Sequence, residues 1–141
     1  MQESLARLSA LLCDAEAPWW IIGSAAVALH GGDPGEIQDI DVLLGHMDAE
    51  RYFRRLNLRN AAPSDDPLFR SDLFARWLEP ALPVELMAGL KVKARRGWSP
   101  LSIRTRVKVE NGVYVPSREE LRSILRCFGR DKDIRRAGTL G

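Results

Sequence analysis

The sequence predicts a mixed α/β (α+β) domain in which a central mixed β-sheet is flanked by helices. Two apolar runs with strand character, Trp19–Ile22 and Ile37–Leu44, bracket a segment of small residues that suits a short helix. Further strand and helix candidates follow to the end of the chain. The length of 141 residues fits one domain, which we place at 1–141.

The composition is that of an ordinary folded protein. Hydrophobic residues make up 45% of the chain and charged residues 28%, a balance that does not indicate disorder. No stretch is apolar for long enough to span a bilayer, and Met1–Ser4 lacks the basic-then-apolar order of a signal peptide. We therefore expect a cytoplasmic protein with no membrane partner, in which Cys13 and Cys127 are reduced and mostly buried thiols.

The net charge of +2 conceals an asymmetry between the two halves of the chain. Residues 1–85 contain 7 Lys or Arg and 14 Asp or Glu, whereas residues 86–141 contain 14 Lys or Arg and 5 Asp or Glu. Such an asymmetry can mean a positive surface for a phosphate-bearing partner. It can equally mean that the two halves neutralise each other in the folded protein.

The N-terminal residues predict a helix that ends before a buried strand. Leucines recur at helical spacing over residues 4–13, and Ser4 is placed to cap that helix. Pro18 cannot continue a helix. Trp19–Ile22 then suits a buried strand, because aromatic and β-branched residues dominate it.

A turn and the second strand carry polar residues of chemical interest. Gly23 and Ser24 form a turn after the first strand, ahead of a helix over residues 25–30. In the second strand, Asp39 and Asp41 are two residues apart, so their side chains point to the same face. Two like charges this close raise each other's pKa, and a divalent cation such as Mg²⁺ removes the conflict.

The middle of the chain supplies strand candidates and a third carboxylate. Asp48 is placed to cap a helix over residues 49–58. Strands are predicted at 69–78 and at Val84–Met87, and the second of these carries Glu85 between apolar neighbours. Glu85 is therefore the candidate to complete a site for two metal ions.

The start of the basic half predicts a short helix over 88–96 and a strand over 101–109. Val113–Val115 is a hairpin partner for that strand, because Asn111-Gly112 is a strong hairpin signal. The alternating basic residues of the strand suit either a solvated edge or a face for RNA or nucleotide phosphate. The same two interpretations apply to the basic run within 88–96.

The last part of the chain predicts two helices. Ser117 is a good N-cap, and Glu120 three residues later completes a capping box. This helix runs to about Phe128 and stops at Gly129. A short helix then covers residues 131–137.

The combination of motifs resembles the nucleotidyltransferase superfamily of the polymerase-beta type. The order is a strand, a Gly-Ser turn, a helix, an Asp-x-Asp pair on a second strand and a glutamate on a third, and it covers about residues 19–90. In that family the Gly-Ser turn holds the triphosphate and three carboxylates bind two Mg²⁺ ions, with Mn²⁺ as an alternative. The resemblance implies nucleotide binding by Gly23 and Ser24, and catalytic metal ligation by Asp39, Asp41 and Glu85.

The C-terminal residues resemble, more narrowly, the abortive-infection toxin-type (AbiEii-like) nucleotidyltransferases. The tail of those proteins reads Arg-x-Lys-Asp, and a lysine in the preceding helix serves the active site. Arg130, Lys132 and Asp133 match the tail, whereas Leu125 stands where the helix lysine is expected. The resemblance implies that Lys132 binds nucleotide and that Arg130 and Asp133 are accessory residues; the alternative is an exposed charge pair at a helix start. Lys91, which follows Glu85 closely, is a further accessory candidate.

The resemblance implies an enzyme that moves a nucleoside monophosphate from a triphosphate such as ATP to an acceptor hydroxyl, releasing pyrophosphate. The acceptor is RNA, a protein or a small molecule, and the oligomeric state stays open. The alternative is a catalytically weak or inactive binding module, such as a component of a toxin–antitoxin pair. A nucleic-acid-binding protein without catalysis is a third hypothesis, and it rests only on the basic half of the chain.

Overall fold

A computed structural model describes all of residues 1–141. The helices are α1 (Gln2–Leu12), α2 (Gly23–Leu29), α3 (His46–Arg55), α4 (Arg118–Phe128) and α5 (Asp131–Thr139). The strands are β1 (Trp20–Ile22), β2 (Ile40–Leu43), β3 (Phe69–Arg70), β4 (Leu73–Trp77), β5 (Val84–Ala88), β6 (Lys91–Ala94), β7 (Gly97–Pro100), β8 (Val107–Val109) and β9 (Val113–Val115). None of the helices has both the length and the apolar content needed to cross a bilayer.

The central sheet has four strands in the order β1-β2-β5-β4. Strands β2 and β5 are parallel, whereas β1 with β2 and β4 with β5 are antiparallel. Strands β3, β6 and β7 form a separate antiparallel sheet, and β8 pairs with β9 in a hairpin. The predicted mixed sheet flanked by helices is confirmed.

Alternation along the central strands separates two apolar clusters. Ile40 and Val42 of β2 belong to the main core, where residues of α1, α2, α3 and α4 also pack. Leu43, one position further, belongs to a smaller cluster with Ile124 and Phe128 of α4. Because Asp41 alternates with Val42, it lies on the same sheet face as Leu43 and the smaller cluster.

Two of the predicted helix caps are wrong, because the side chains fix loops instead. Helix α1 begins at Gln2, so Ser4 lies inside it, where the buried hydroxyl donates to the Leu82 carbonyl (3.1 Å) and accepts from the Leu82 amide (2.7 Å). Helix α3 begins at His46, and Asp48 of its first turn accepts hydrogen bonds from the amides of residues 16 and 17. Both side chains therefore hold their helix against a loop that is distant in sequence.

The predicted helix over 88–96 is wrong, because this segment forms the hairpin of β6 and β7. Val92 is 3% exposed and packs in the smaller cluster, whereas Lys91 and Lys93 alternate with it. Strand β6 pairs with β3, Phe69 facing Val92 across the ladder. The period of two around Val92 therefore decides the structure, and the predicted strand over 69–78 divides into β3 and β4.

The predicted hairpin in the basic half is confirmed, although β8 is shorter than the predicted strand. Asn111 and Gly112 both have positive φ angles (64° and 71°), as the hairpin signal requires. The expected burial of the cysteines is wrong: Cys13 and Cys127 are both exposed. Cys13 lies at the end of α1, and Cys127 lies in the last turn of α4.

The Ser117 N-cap of α4 is confirmed, whereas the predicted capping box is wrong, because the Glu120 carboxylate accepts from the amides of Arg104 and Thr105 and the Ser117 amide donates to the Thr105 hydroxyl. The N-cap gives a stability prediction. The Ser117 hydroxyl accepts a hydrogen bond from the Glu120 amide at 3.1 Å, and Gly129 ends the helix in the left-handed conformation. Ser117→Ala should lower the free energy of unfolding by about 1 kcal/mol, since one amide at the helix start loses its partner. Urea denaturation measures the change. Ser123→Ala, in the exposed part of the same helix, is the control and should change stability by less than about 0.5 kcal/mol.

Candidate functional site

A cavity of about 520 Å³ lies where β2 and β5 begin and α2 follows β1. Helix α5 forms its opposite wall. The lining is almost entirely polar, and it includes both acidic and basic side chains. The residues are Gly23, Ser24, Asp33, Pro34, Gly35, Glu36, Gln38, Asp39, Asp41, Glu85, Phe128, Arg130, Lys132, Arg135, Arg136 and Thr139.

Three carboxylates converge in this cavity. One oxygen from each of Asp39, Asp41 and Glu85 lies within 4.8 Å of the oxygens of the other two. The parallel pairing of β2 with β5 explains the convergence, because it places Asp41 directly beside Glu85 in the register. All three side chains are half-buried. Carboxylate oxygens at this separation suit a hard divalent cation.

Asp41 has the most constrained environment of the three. Its Oδ1 is buried and has no hydrogen-bond partner in the protein. Burial, followed by the neighbouring carboxylates of Glu85 and Asp39, raises the pKa of Asp41 well above its usual range. A buried carboxylate oxygen without a partner is costly, and a bound cation would supply the missing partner. The residues present therefore fit a metal ion.

Gly23 is the residue that lets α2 begin against the Asp41 carboxylate. Its φ angle is +69°, and a Cβ atom at this position would lie 2.8 Å from Asp41 Oδ2. A side chain is thus excluded both by the backbone conformation and by the contact. Ser24 follows in the first turn of α2 and is 8% exposed. The Gly-Ser turn and the carboxylates are therefore parts of one wall.

Arg76 contacts the third carboxylate and was not identified from the sequence. It lies opposite Glu85 in the β4–β5 ladder, and its Nε is 3.3 Å from Glu85 Oε2. The Arg76 side chain is 50% exposed and that of Glu85 is 21% exposed. No local signal marks this pair, because the contact depends on how β4 and β5 pair.

Four cationic residues, one preceding α5 and three within it, line the same cavity as the carboxylates. Arg130 and Lys132 were identified from the sequence, whereas Arg135 and Arg136 were not. Their spacing is the signal that could have found them, because residues three and four positions apart share a helix face. Arg136 also donates from Nε to the Pro34 carbonyl at 2.8 Å, which ties α5 to the loop before β2.

The tail residues Arg130 and Asp133 bind each other. Arg130 Nε donates to Asp133 Oδ2 at 2.6 Å, and the Arg130 amide donates to the same oxygen at 3.2 Å. Asp133 is 1% exposed, so it fixes the start of α5 and its charge is satisfied locally. Lys132, between them, is exposed at the cavity and forms no ion pair within the protein.

Helix α4 contributes one aromatic side chain, and no charged side chain, to the wall of the cavity. Leu125, where the resemblance leads one to expect a lysine, is 0% exposed and packs in the main core. Phe128, almost one turn later, is the residue of α4 that lines the cavity. The cations of the site therefore come from the segment after α4.

Lys91 lies apart from the carboxylates. Its Nζ is 3.1 Å from Asp72 Oδ1, and His46 Nε2 is 2.8 Å from Asp72 Oδ2. The hydrogen bond from His46, followed by the hydrogen bond and charge of Lys91, lowers the pKa of Asp72. Lys91 is absent from the lining of the cavity. The structure therefore does not bring this accessory candidate together with the other site residues.

A second cavity of about 300 Å³ adjoins the first on the same face of the sheet. The two cavities share the side chains of Asp41, Glu85, Phe128 and Arg130. Half of the second lining is hydrophobic, in contrast to the first. Its remaining residues are Ile22, Pro63, Asp66, Phe69, Ser71, Phe74, Met87 and Leu90. Nothing in the sequence signalled this cavity, because its walls come from five separate segments.

Comparison with known proteins gives similarity in structure alone. In sequence, the chain matches no protein-family model and no curated protein. In structure, it is similar to a Thermotoga maritima protein, TM1012, provisionally assigned as a nucleotidyltransferase. The TM-score is 0.70 and the identity 21%, and the alignment covers 89% of this chain and 83% of that one.

Two further solved structures share the architecture. The lincosamide antibiotic adenylyltransferase LnuA has a TM-score of 0.63 at 11% identity, and the alignment covers 100% of this chain and 98% of LnuA. The antibiotic-resistance factor ANT(2″)-Ia has a TM-score of 0.62 at 14% identity, over 99% of this chain and 82% of its own. At such identities the similarity establishes the fold and leaves the activity to be argued from the site. The chain has the polymerase-beta-type nucleotidyltransferase fold.

Proposed function

We propose that this protein is a Mg²⁺-dependent nucleotidyltransferase that moves a nucleoside monophosphate from a triphosphate to an acceptor hydroxyl. The observation that carries the proposal is the convergence of Asp39, Asp41 and Glu85 in a cavity that also holds four cationic side chains. Carboxylate oxygens suit Mg²⁺, with Mn²⁺ as an alternative, and cationic side chains suit the phosphates of a nucleotide.

The residues of the cavity divide into those that hold metal and those that hold phosphate. Asp39, Asp41 and Glu85 would hold two Mg²⁺ ions, which when bound supply positive charge for the attacking and leaving oxygens. Gly23 and Ser24 bind the β and γ phosphates at the start of α2. Lys132 neutralises charge on the same phosphates, as do Arg135 and Arg136 beside it.

The reaction needs one proton acceptor as well as correct positioning. The acceptor oxygen forms a bond to the α-phosphorus, and the bond from that phosphorus to the bridging oxygen of pyrophosphate breaks. Pyrophosphate leaves with the electron pair of the broken bond. The hydroxyl proton passes to the Glu85 carboxylate, and Arg76 at 3.3 Å holds that carboxylate in place.

ATP is the donor to test first. LnuA is described as an adenylyltransferase, and a crystal structure of ANT(2″)-Ia contains adenylyl-2″-tobramycin. Both proteins share the fold of this chain, so adenine nucleotides are the natural first choice. The acceptor classes to compare are RNA, a protein and a small molecule.

One observation favours the alternative of a weak or inactive binding module, such as a component of a toxin–antitoxin pair. Asp133, through which the tail resembles the toxin-type enzymes, is buried against Arg130, and Leu125, which replaces the expected helix lysine, packs in the main core. Transfer of label from ATP to any acceptor class argues against this alternative. Binding of ATP without transfer to any of them supports it.

Lys132→Gln tests the phosphate side of the site. We expect Mg²⁺-dependent binding of a non-hydrolysable ATP analogue to weaken about tenfold, because an unpaired cation at the cavity is lost. Isothermal titration calorimetry measures the affinity. Arg126→Gln is the matched control, since it removes one exposed cation of α4 that lies outside the cavity. Equal weakening in both variants would mean that the effect is only one of net charge.

A further inference from the structure

The second cavity meets the first at the carboxylates that hold the reaction centre of the proposed function. Asp41 and Glu85 line both cavities, so a molecule in the second cavity can present an oxygen at the point where the first delivers the α-phosphorus. This geometry gives a second substrate a place in the second cavity, beside the carboxylates of Asp41 and Glu85. The residues that line the second cavity then indicate the chemical class of that substrate.

The walls of the second cavity are apolar and aromatic. Ile22, Met87 and Leu90 are nearly fully buried at 3%, 6% and 6% exposure, and they form a solid floor. Phe69 and Phe74 are half-buried, and Phe69 packs edge-on against Phe128 with ring centroids 4.9 Å apart. Such walls bind a compact apolar body or ring.

The polar groups of the second cavity favour a neutral or cationic ligand. Asp66 accepts hydrogen bonds from the amides of Leu68 (2.8 Å) and Phe69 (3.0 Å), and both bonds end on Oδ1, so Oδ2 stays available. The one cation in the lining is Arg130, which is already ion-paired with Asp133. No unpaired cation therefore faces a ligand in this cavity.

The basic residues nearby point away from this cavity. In the sheet of β3, β6 and β7, Phe69 and Val92 are paired and pack in the smaller cluster. Arg70 and Lys93 alternate with them, so they lie on the other face, where both contact the Trp98 ring. A polynucleotide in the second cavity would lack the cations that hold its phosphates.

We propose that the second cavity is the acceptor subsite, and that the acceptor is a compact, apolar or aromatic small molecule that bears a hydroxyl and no phosphate. The inference rests on the proposed function and names its substrate class. The hydroxyl lies at Glu85, the apolar body lies against Phe69 and Phe74, and Asp66 receives any donor group on the far side. The volume of about 300 Å³ is of the size that accommodates a small ligand.

Ser71→Trp tests the subsite without changing a carboxylate or a cation. Ser71 lines only the second cavity, so an indole there fills the acceptor space. We expect binding of naphthylethanol, a neutral aromatic alcohol used as the probe, to weaken by about tenfold or more, because overlap with an inserted ring is strongly unfavourable. Saturation-transfer NMR measures probe binding. Transfer of radiolabel from ATP to the probe should fall by the same factor.

Two comparisons keep this test decisive. Ser123→Trp adds the same ring on an exposed part of α4 and should leave both measurements unchanged. Phe74→Ala removes an aromatic wall and should weaken probe binding in the same direction if Ser71→Trp does not fold. In all variants, Mg²⁺-dependent binding of the ATP analogue should stay within about twofold of wild type, since the first cavity is intact.

The outcomes separate this inference from the function on which it rests. Label transfer to an RNA oligonucleotide that Ser71→Trp leaves unchanged would overturn the acceptor assignment and leave the nucleotidyltransferase proposal standing. Wild-type protein that binds the ATP analogue but not the probe would also overturn the acceptor assignment and leave the nucleotidyltransferase proposal standing. Wild-type protein that fails to bind the ATP analogue with Mg²⁺ would overturn both proposals.

Discussion

The Asp41→Asn variant is expected to transfer nucleotide about a thousandfold more slowly than the wild type, or more slowly still. Without metal, its free energy of unfolding is expected to be higher than that of the wild type. The two effects share one cause. Asp41 Oδ1 is buried without a partner, and Glu85 and Asp39 place further negative charge within 4.8 Å. An amide keeps the shape of the side chain and removes its charge, so the repulsion between the carboxylates disappears together with the proposed metal ligand.

The pH dependence of stability follows from the pKa of Asp41. In the folded, metal-free protein this pKa lies well above the ordinary value of 3.8, mainly because of burial. The folded state therefore holds a proton that the unfolded state releases more readily. The stabilising contribution is complete below 3.8 and is lost as the pH rises through the raised pKa. Asp41→Asn should remove this pH-dependent loss, and urea titrations at several pH values without metal measure it.

Added Mg²⁺ should reverse the order of stability. At a concentration one hundred times its dissociation constant, a ligand that binds only the folded state stabilises by about 2.7 kcal/mol. The wild type should gain this stabilisation, and Asp41→Asn should gain little. A wild type that is as stable with Mg²⁺ as with a chelator would contradict the metal assignment.

Asp48→Asn is the matched control for Asp41→Asn, because Asp48 is a buried carboxylate whose partners are complete. Burial raises its pKa, but the amides of Ala17 and Glu16 and the Arg51 guanidinium outweigh burial and lower it overall. Its stabilising contribution is therefore present at neutral pH and lost as the pH falls. Asp48→Asn should destabilise the protein, whereas Asp41→Asn should stabilise it without metal. A change of the same sign in both would contradict the account given for Asp41.

The sequence predicted those parts of the site that depend on local periodicity. Asp39 and Asp41 share a face because of strand alternation, and Gly23-Ser24 follows an apolar strand directly. Glu85 was found because a charged residue within an apolar run is unusual. None of these signals places Glu85 beside Asp41, since that contact depends on the parallel pairing of β2 with β5 over more than forty residues of chain.

The parts that were missed depend on tertiary packing. Arg76 reaches Glu85 through the β4–β5 ladder, and Arg135 and Arg136 reach the cavity through the orientation of α5. That orientation is fixed by contacts such as that of Arg118 Nη1 with the Leu140 carbonyl, at 2.9 Å. The second cavity combines side chains from the first five strands, from α4 and from the connecting segments between elements. No window of sequence contains such information.

The error over residues 88–96 has a different origin. Lysine and arginine are compatible with helix, and their density in this run favoured that interpretation. The alternation of Lys91, Val92 and Lys93 carried the opposite signal, and burial of Val92 against Phe69 decided the outcome. A single buried residue at the right register therefore outweighed the helical propensity of its neighbours.

Gly23→Ala should reduce nucleotide transfer by about a hundredfold, because the new methyl group displaces Asp41, the proposed metal ligand. The Cβ atom would lie 2.8 Å from Asp41 Oδ2, closer than such contacts allow, and the Asp41 side chain is the group that must move. Positive φ at this position adds a backbone cost of about 1–2 kcal/mol to folding. Steady-state transfer with ATP, together with the midpoint of thermal unfolding, measures both effects.

Gly31→Ala separates backbone strain from the contact with Asp41, because Gly31 has a φ angle of +79° and a Cβ atom there would have no atom within 4 Å. Both variants carry the same kind of backbone strain, so their thermal stabilities should fall by similar amounts. Only Gly23→Ala pushes on Asp41, so only that variant should lose Mg²⁺ binding and transfer. If Gly31→Ala lost transfer to the same extent, backbone strain alone would explain the effect. If Gly23→Ala kept full activity, the Asp41 carboxylate would have to act from a position displaced from that in the structure, and its proposed role as a fixed metal ligand would fail.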